Sequence, residues 1–371
     1  MPEKEHKQKW DEYRARELKT ARQTLSALGF ALDEAQVHIG GERYVMMGNR
    51  DVGGGGYKLV LTGTRASDGM RVVIKFSSDA EGMREIEAEH RARHLITSLD
   101  FAYHAFAAPR ELLYSRTSSR ALSIVDYIEQ ERTFLNRPLQ EQFALALRAF
   151  KTQEGVHATT YAHARAIRAA LGLLGSGDYL QMFDAFASAA TRHAPERSDL
   201  REALKRSREL LERDRETIEQ YCGFLTHADF VPHNLRVADD QIYLLDYASI
   251  HFGNKHESWA RFLNFMMLHN PAMERALLQY VRDNRSPEEY LSLRLMRIYK
   301  LGFLLQFYAS TLDKASGNLR LLAQERISFW LQALQSVLDD TPLSEAVIRD
   351  YKNVRDSLRS EEEKERQRQL H

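Results

Sequence analysis

Polar side chains crowd into one short stretch of this chain, LTHADFVPHNLRV, and a further acid ends the apolar run IYLLD a few residues later. The candidates for chemistry in these two stretches are His227, Asp229, His233, Asn234 and Asp246. Carboxylate and amide oxygens bind divalent cations such as Mg²⁺, and a carboxylate can accept the proton of a neighbouring hydroxyl. With Asp229 as the base and Asn234 and Asp246 as metal ligands, the set fits phosphoryl transfer from a nucleoside triphosphate to an alcohol.

A zinc site is the second interpretation of the same cluster. His227, Asp229 and His233 have suitable side chains, but zinc hydrolase sites need a third or fourth ligand at helical or strand spacing, and we find none in the sequence. Cys222 is the only cysteine, which excludes an internal disulfide and any site built from several cysteines. We therefore favour the oxygen-ligand interpretation.

The elements that must position these residues change type along the chain. Residues 8–28 repeat apolar side chains at helical spacing, whereas from residue 44 the pattern alternates and predicts strands in YKLVLTGT and RVVIKFS. Residues 80–99 predict a helix, and 121–129 predict a strand. Beyond Arg137 the chain is predominantly helical except around the polar cluster. The sequence thus predicts a bilobal α+β fold, with a small β-rich N-lobe and a large helical C-lobe.

The motif HADFVPHN, followed by the Asp of LLDY, resembles the aminoglycoside phosphotransferase and choline kinase group, relatives of the protein kinases. That group carries His-x-Asp, a following Asn, and a metal-binding Asp after an apolar strand. The matching residues here are His227, Asp229, Asn234 and Asp246. The resemblance implies a protein-kinase-like fold in which Asp229 is catalytic and Asn234 with Asp246 holds Mg²⁺. It also implies that His227 braces the loop.

The resemblance extends to a lysine upstream. In such kinases a Lys that ends a Val-Ala-Ile-Lys-like strand holds the nucleotide phosphates and pairs with a Glu on the next helix. VVIK ends at Lys75 on a predicted strand, and the predicted helix that follows offers three choices for the Glu: Glu85, Glu87 and Glu89. We favour Glu89, because it shares its helical face with apolar residues suited to packing under the small lobe. Glu85 is the second choice.

Two further stretches match the nucleotide-binding parts of that family. DVGGGGYKLVL stands where a phosphate-covering hairpin belongs, and its glycines permit close approach of backbone amides to phosphate. These glycines are Gly53, Gly54, Gly55 and Gly56. SIVDYIE resembles the hinge between the lobes, where backbone groups of Asp126 and Ile128 would pair with adenine. The resemblance as a whole covers roughly residues 44–265.

The sequence also departs from the family pattern. Ala228 stands where the antibiotic kinases commonly have Gly, and Tyr247 with Ala248 replaces the Phe-Gly that follows the metal-binding Asp in protein kinases. Ser258 falls near the position of an Asp in many small-molecule kinases, with Glu257 adjacent. The last departure leaves open how the catalytic loop is braced.

We expect four segments along the chain. They are an N-terminal helical extension at 1–43, an N-lobe at 44–127, a helical C-lobe with the catalytic loop at 128–345, and a charged C-terminal tail at 346–371.

Composition limits the classes of partner. The 371 residues include 52 Lys plus Arg and 52 Asp plus Glu, so the chain lacks the net positive charge typical of nucleic-acid binding. Its first residues lack the apolar region of a secretory signal, and the most apolar later segment carries Arg294, Arg297 and Lys300, too many charges for a membrane helix. We expect a cytoplasmic protein that binds neither nucleic acid nor a membrane. The oligomeric state stays open.

The leading hypothesis is a small-molecule kinase that uses ATP or GTP and Mg²⁺ to phosphorylate a hydroxyl of a metabolite or antibiotic. The alternatives are a protein kinase and an inactive nucleotide-binding scaffold. Between Asp246 and the helix near Trp259 the chain is too short for the activation segment of a protein kinase. Basic and acidic residues nearly balance between Phe134 and Asp199, which favours a neutral or singly charged acceptor over a polycationic aminoglycoside.

Overall fold

The N-terminal part of the computed structural model is a five-stranded antiparallel sheet. The residues that the structure describes are 2–36, 56–99, 106–238, 241–361 and 363–365. The strands are β1 (Phe30–Leu32), β2 (Leu59–Arg65), β3 (Arg71–Ser77), β4 (Glu111–Arg116) and β5 (Ala121–Asp126), in the spatial order β1-β2-β3-β5-β4. Leu59, Leu61, Ile74 and Phe76 are buried on one face, as the alternation of apolar residues in the sequence predicts.

Two helices pack on this sheet, α1 (Pro2–Ala27) and α2 (Ala80–Thr97). α1 buries Trp10, Tyr13 and Leu25 in the same apolar cluster as the strands. α2 begins where the Asp79 side chain accepts hydrogen bonds from the amides of Glu81 and Gly82, both at 3.1 Å, and so satisfies two amides of its first turn. The N-lobe is therefore a sheet flanked by two helices.

The C-lobe is helical. Its helices are α3 (Leu139–Leu171), α4 (Ser176–His193), α5 (Ser198–Arg213), α6 (Arg215–Gln220), α7 (Glu257–His269), α8 (Pro271–Asn284), α9 (Pro287–Ala309), α10 (Gly317–Leu338) and α11 (Glu345–Leu358). α9 is the central helix and packs against α4, α7 and α10. Its charged residues are paired, because Arg297 lies 2.6 Å from Glu274 and Lys300 lies 2.6 Å from Glu257. Within the described segments, no helix has both the length and the apolar character needed to cross a bilayer.

Two short hairpins interrupt the helices and carry the polar cluster. They are formed by β6 (Phe224–His227) with β9 (Ile250–Gly253), and by β7 (Leu235–Ala238) with β8 (Gln241–Leu244). Single 3₁₀ turns at Pro232–Asn234 and Tyr247–Ser249 connect these strands, and the second turn packs against α2 of the N-lobe. The predicted bilobal α+β fold is confirmed.

Two boundaries differ from those expected from the sequence. β1 lies inside the segment 1–43, yet it pairs with β2 and belongs to the N-lobe sheet. α11 occupies the first part of the segment 346–371, and its Ile348 and Tyr351 are buried, with the Tyr351 ring stacked 4.3 Å from Phe329. β1 is short, and the sequence of α11 is strongly charged. For these reasons the local sequence pattern did not reveal the surfaces against which the two elements pack.

Candidate active site

The catalytic-loop candidate runs from the end of β6 to the start of β7. Pro232 opens the 3₁₀ turn that ends at Asn234, and this turn brings the Asn234 side chain back onto Asp229. Asn234 Nδ2 donates to the backbone carbonyl of Asp229 at 2.8 Å and to its Oδ2 at 3.0 Å. Because the amide nitrogen makes both bonds, the amide oxygen of Asn234 is directed away from Asp229 and can bind a cation.

Asp246 lies directly beside this loop. The amide of Leu245 donates to the Asn234 carbonyl at 2.8 Å, which joins the two segments. Asp246 has φ of 56° and ψ of 58°, a left-handed conformation that is uncommon for a residue other than glycine and that is frequent at functional sites. Ser249 Oγ donates to Asp246 Oδ2 at 2.9 Å and fixes the orientation of the carboxylate.

Lys75 reaches this carboxylate from the N-lobe. Its Nζ lies 3.4 Å from Asp246 Oδ1 and is hydrogen-bonded to Glu89 Oε2. Glu89 is buried, and its second oxygen accepts from Arg93 Nη2 at 2.7 Å. The Arg93 guanidinium also lies 5.6 Å from the ring centroid of Tyr247, so α2 contacts the residue directly after Asp246. The Lys75–Glu89 pair therefore faces Asp246 across the cleft between the lobes.

The three candidate acids on α2 have different partners. Glu85 binds Lys58 Nζ at 2.6 Å and the amide of Gly56 at 2.8 Å. Glu87 lies near Arg91 and Arg116, at 4.0 Å and 3.7 Å. Only Glu89 among them is buried against Lys75, one helical turn beyond Glu85.

The charges in the cleft keep Asp246 ionised. Burial by itself would raise the pKa of the Asp246 carboxyl, but Lys75 and Lys58 outweigh burial and hold that pKa well below its usual range. In the same way, burial would lower the pKa of Lys58, while Asp246 and Glu85 raise it. The site thus presents an anionic oxygen ligand between two cations.

Asp229 is also held as an anion. Burial raises the pKa of its carboxyl, but Arg261 on α7, followed by His233 and His227, lowers it below its ordinary value. Arg261 Nε donates to Asp229 Oδ1 at 2.9 Å. The carboxylate keeps more than a third of its surface exposed. An ionised and accessible carboxylate can accept the hydrogen bond of an acceptor hydroxyl.

Ser258 is the residue that braces the loop. Its Oγ accepts from the amide of His227 at 2.8 Å and from Gln153 Nε2 at 2.6 Å, and it lies 2.7 Å from Thr226 Oγ1. Because both lone pairs of the Ser258 oxygen accept these two hydrogen bonds, its proton is left for Thr226. The serine therefore braces the strand that leads into the candidate catalytic loop, near the position at which the sequence resemblance implies an Asp.

His227 joins the two segments of the site. Its Nε2 lies 3.0 Å from the Leu245 carbonyl and 3.1 Å from the Asp246 carbonyl. Burial lowers the pKa of its ring, so the imidazole is neutral near pH 7. A neutral buried ring that bonds to backbone carbonyls positions the loop and does not transfer a proton.

The glycine run and the hinge are described only in part. Gly53, Gly54 and Gly55 lie outside the described residues, whereas Gly56 packs so closely on α2 that an added Cβ would lie 2.2 Å from the amide nitrogen of Gly82. The Asp126 amide donates to the Arg110 carbonyl at 3.0 Å, so the backbone of Asp126 could only accept a hydrogen bond from a base, at its carbonyl. Ile128 follows the end of β5, between the lobes.

Three basic residues of the site were not found by sequence reasoning. Lys58 lies beside the glycine run, and that proximity was the available signal. Arg236 directly follows Leu235 at the start of β7, and its Nη1 donates to the carbonyls of His233 and Leu235 at 3.0 and 3.1 Å. Arg261 had no signal near the motif, because it reaches Asp229 only through the packing of α7.

The donor set fits Mg²⁺. Asn234 offers an amide oxygen and Asp246 an ionised carboxylate, the hard oxygen ligands that Mg²⁺ prefers. In the described part of the chain, no three His, Cys, Asp or Glu side chains come together as a metal-binding group.

These features define a fold. A five-stranded N-lobe faces a helical C-lobe, and a Lys–Glu pair of the first lies across the cleft from an Asp of the second, within the arrangement of the protein-kinase-like fold. No protein-family model matches the chain, and no curated protein matches it.

Solved structures do match the fold. A macrolide 2'-phosphotransferase type I aligns with a TM-score of 0.54 and 15% identity over 84% of this chain and 96% of its own. The macrolide 2'-phosphotransferase MphH from Brachybacterium faecium aligns at 0.52 and 17%, over 83% and 97%. The aminoglycoside phosphotransferase APH(2'')-Ib, ADP-bound, aligns at 0.50 and 13%, over 75% and 90%. The chain thus has the fold of the aminoglycoside and macrolide phosphotransferases, and the resemblance seen in the sequence is confirmed at the level of the fold.

Proposed function

We propose that this protein is a phosphotransferase that moves the γ-phosphoryl group of ATP or GTP to a hydroxyl of a small molecule. One observation carries the proposal: the Lys75–Glu89 pair and Asp246 meet across the cleft, with Lys75 Nζ 3.4 Å from Asp246 Oδ1, beside the loop of Asp229 and Asn234. These residues are far apart in sequence, so their convergence favours a common chemical task. The names of the three similar structures, all phosphotransferases, support the same chemistry.

Each residue has a role in this reaction. Lys75, oriented by Glu89, binds the α and β phosphates, and the base pairs with backbone groups of Asp126 and Ile128. Asn234 and Asp246 hold Mg²⁺, which when bound neutralises phosphate charge. Gly53, Gly54 and Gly55 would cover the phosphates, whereas the amide of Gly56 is already bonded to Glu85.

Asp229 serves the acceptor. Its carboxylate accepts a hydrogen bond from the acceptor hydroxyl and orients the oxygen toward the γ-phosphorus. As the new P–O bond forms, the bond from the γ-phosphorus to the bridging oxygen breaks, and the nucleoside diphosphate leaves with the electron pair. The hydroxyl proton passes to Asp229. Phosphoryl transfer needs little covalent work from the protein, so this positioning is its main contribution.

The acceptor we propose is neutral or carries a single charge. Arg261 already occupies Asp229 Oδ1, so an ammonium group beside the acceptor hydroxyl would have to compete with a guanidinium for the same oxygen. Acidic and basic residues nearly balance in the helical segment before the catalytic loop. Sugars and amino alcohols fit this description better than polycationic aminoglycosides do.

A protein kinase fits the structure less well. Only residues 247–256 separate Asp246 from α7, and they are occupied by a 3₁₀ turn and the strand β9. That length leaves no room for an activation segment that would bind a peptide. An inactive scaffold is the remaining alternative, but it would not need an ionised and partly exposed Asp229.

The test is direct. The protein is incubated with γ-labelled MgATP or MgGTP and a panel of amino alcohols, sugars, macrolides and aminoglycosides, and phosphorylated products are identified by mass spectrometry. Asp229→Asn should lose product formation, while Asp283→Asn, an exposed control on α8, should not. Binding of nucleotide without transfer to any acceptor or to water would contradict the proposal and favour a scaffold.

A further inference from the structure

Two lysines of the N-lobe leave its sheet on the same face. Val60 on β2 is the register partner of Lys75 on β3, and such partners in an antiparallel sheet place their side chains on one face. Lys58 precedes Val60 by two residues, so its side chain returns to that face. The face lies over the cleft, because Lys75 reaches Asp246 of the C-lobe from it. Lys58 and Lys75 are therefore neighbours on the surface of the cleft.

Each of these lysines has its own acid on α2. Glu85 and Glu89 are four residues apart and lie on one face of the helix. Glu89 is hydrogen-bonded to Lys75, and Glu85 Oε2 lies 2.6 Å from Lys58 Nζ. The helix thus holds two Lys–Glu pairs side by side, and only the pair of Lys75 has a role in the function proposed above.

The acids of the two pairs differ in how firmly they are held. The Glu89 side chain is 3% exposed, and its second oxygen accepts from the buried Arg93 at 2.7 Å. The side chains of Glu85 and Lys58 are 23% and 18% exposed. An ion pair that keeps contact with water contributes little to stability, whereas opening a buried pair leaves an uncompensated charge. Lys58 can therefore exchange its partner at lower cost than Lys75 can.

A structural tether for the chain before β2 is the competing explanation. Gly56 is already attached to α2, since its amide donates to Glu85 Oε1 at 2.8 Å and its backbone packs too closely on the helix to admit a side chain. The Tyr57 carbonyl accepts from Tyr13 Oη at 2.7 Å, which attaches the next residue to α1. Neither attachment uses the side chain of Lys58, so the charge of Lys58 is available to a ligand.

We propose that Lys58 binds a phosphate group of the nucleotide, and that Glu85 competes with this phosphate for Lys58. The inference rests on the donor half of the proposed function, which places the nucleotide phosphates at Lys75, the neighbour of Lys58 on the sheet. Phosphate and carboxylate oxygens are alternative acceptors for one ammonium group, and phosphate carries the larger charge. When nucleotide binds, Lys58 leaves Glu85 Oε2, while Oε1 keeps the amide of Gly56.

The experiment compares nucleotide affinities by calorimetry. The full-length protein is titrated with the non-hydrolysable triphosphate analogues AMP-PNP and GMP-PNP, each with Mg²⁺, and the analogue that the wild type binds more tightly is used for the variants. We expect Lys58→Met to raise the Kd about 10- to 100-fold, as for loss of a hydrogen bond to a charged group. Glu85→Gln, whose amide oxygen can still accept from Gly56, should lower the Kd about two- to fivefold, the scale of a partly exposed ion pair. A structural tether predicts the opposite sign for Glu85→Gln.

Three further variants serve as controls. Lys255→Met removes the lysine of a C-lobe ion pair of similar exposure and should leave the Kd unchanged. Glu87→Gln removes an acid from the same helix as Glu85 and should also leave the Kd unchanged. Lys58→Arg keeps the positive charge, so its Kd should stay within about fivefold of the wild-type value.

The outcomes separate this inference from the proposed function. With a wild type that binds nucleotide, an unchanged Kd in Lys58→Met, or an unchanged or raised Kd in Glu85→Gln, would overturn the inference alone. A wild type that binds neither analogue would overturn the proposed function and the inference with it. Folding is checked by melting temperature, and if only one of the two variants folds, its Kd decides. If neither folds, the inference fails, because a ligand cannot open a pair on which folding depends.

Discussion

Asp229 and Asp246 are chemically identical side chains that the structure places in different surroundings. Asp246 lies between Lys75 and Lys58, with Ser249 fixing one oxygen. Asp229 lies between Arg261 and Asn234. Their different neighbours suit different tasks, a metal ligand at Asp246 and a hydroxyl partner at Asp229.

Substitution should separate these tasks. In Asp229→Ala we expect kcat to fall by about 10²–10⁴-fold, the usual contribution of a positioned acid or base, while the Kd for MgADP changes only a few-fold. In Asp246→Ala the difference in ADP affinity between Mg²⁺ and EDTA should disappear. Calorimetric titration with and without metal measures both effects. Near-normal turnover by Asp229→Ala would contradict the assigned roles.

A second prediction concerns the hydrogen bonds that Ser258 makes. Ser258→Ala leaves the buried His227 amide and the Gln153 side chain without their acceptor, which costs about 1–3 kcal/mol in the free energy of unfolding. Because the loop begins at His227, kcat should fall while the KM for nucleotide holds. Ser207→Ala is the control, since Ser207 is also buried but bonds only to its own helix. Loss of stability with an unchanged kcat would show that the hydrogen bonds of Ser258 do not affect the position of Asp229.

Among the elements, α1 has the most specific attachment. Tyr13 Oη donates to the Tyr57 carbonyl at 2.7 Å, and Glu17, although buried, accepts from the Ser78 amide at 2.8 Å and hydroxyl at 2.6 Å. Tyr57 follows Gly56, and Ser78 precedes the cap of α2. The helix therefore stabilises the N-lobe just after the glycine segment ends and just before α2 begins.

We expect loss of this attachment to lower stability more than it changes the chemical step. Glu17→Ala leaves the Ser78 amide and hydroxyl without their acceptor and should cost roughly 1–3 kcal/mol. Glu12→Ala, at an exposed position of the same helix, should cost less than about 0.5 kcal/mol. Urea denaturation compares the two variants, and removal of residues 1–28 should lower the melting temperature further with kcat retained. A truncated protein that melts normally but is inactive would point to a role of α1 in gating the substrate.

At the scale of the whole molecule, the C-lobe buries neutral histidines. His157 bonds to the Leu225 carbonyl at 3.0 Å, and His256 bonds to Ser292 Oγ at 2.9 Å. Burial lowers the pKa of His157 to about 3 and that of His256 to about 4. Both pKa values lie below the unfolded value near 6.5, so the unfolded chain binds more protons between these limits.

The stability that depends on the two neutral histidines should therefore be fully present above about pH 6.5. It should decline as the pH falls, until the pH reaches the pKa of His256 near 4 and then that of His157 near 3. At pH 5 each histidine should remove about 2 kcal/mol from the free energy of unfolding, at about 1.4 kcal/mol per pH unit. Urea unfolding at pH 8 and pH 5 measures the decline, and it should be smaller in His157→Gln, which keeps a donor for Leu225 but does not titrate. An equal decline in wild type and His157→Gln would refute the contribution of this residue.

The sequence by itself determined the parts of this protein that depend on local pattern. Alternation of apolar residues predicted β2 and β3, and helical spacing predicted α1, because burial of one face imposes a period on the chain. The residues of HADFVPHN and LLDY indicated the chemistry because their types and spacing are chemically specific. The same reasoning favoured Glu89, which the structure pairs with Lys75.

Only the tertiary structure decided which distant residues complete the site. Arg261 contacts Asp229, and Ser258 accepts from the His227 amide; neither contact has a local signature in the sequence. Lys58, whose charge lowers the pKa of Asp246, had only its position beside the glycine run as a signal. These contacts depend on how α7 packs under the loop and how the lobes meet. Such packing is set by the summed burial of many apolar side chains that lie far apart in the sequence. Short sequence patterns carry no information about that sum. The same holds for α11, whose charged sequence concealed a buried face at Ile348 and Tyr351.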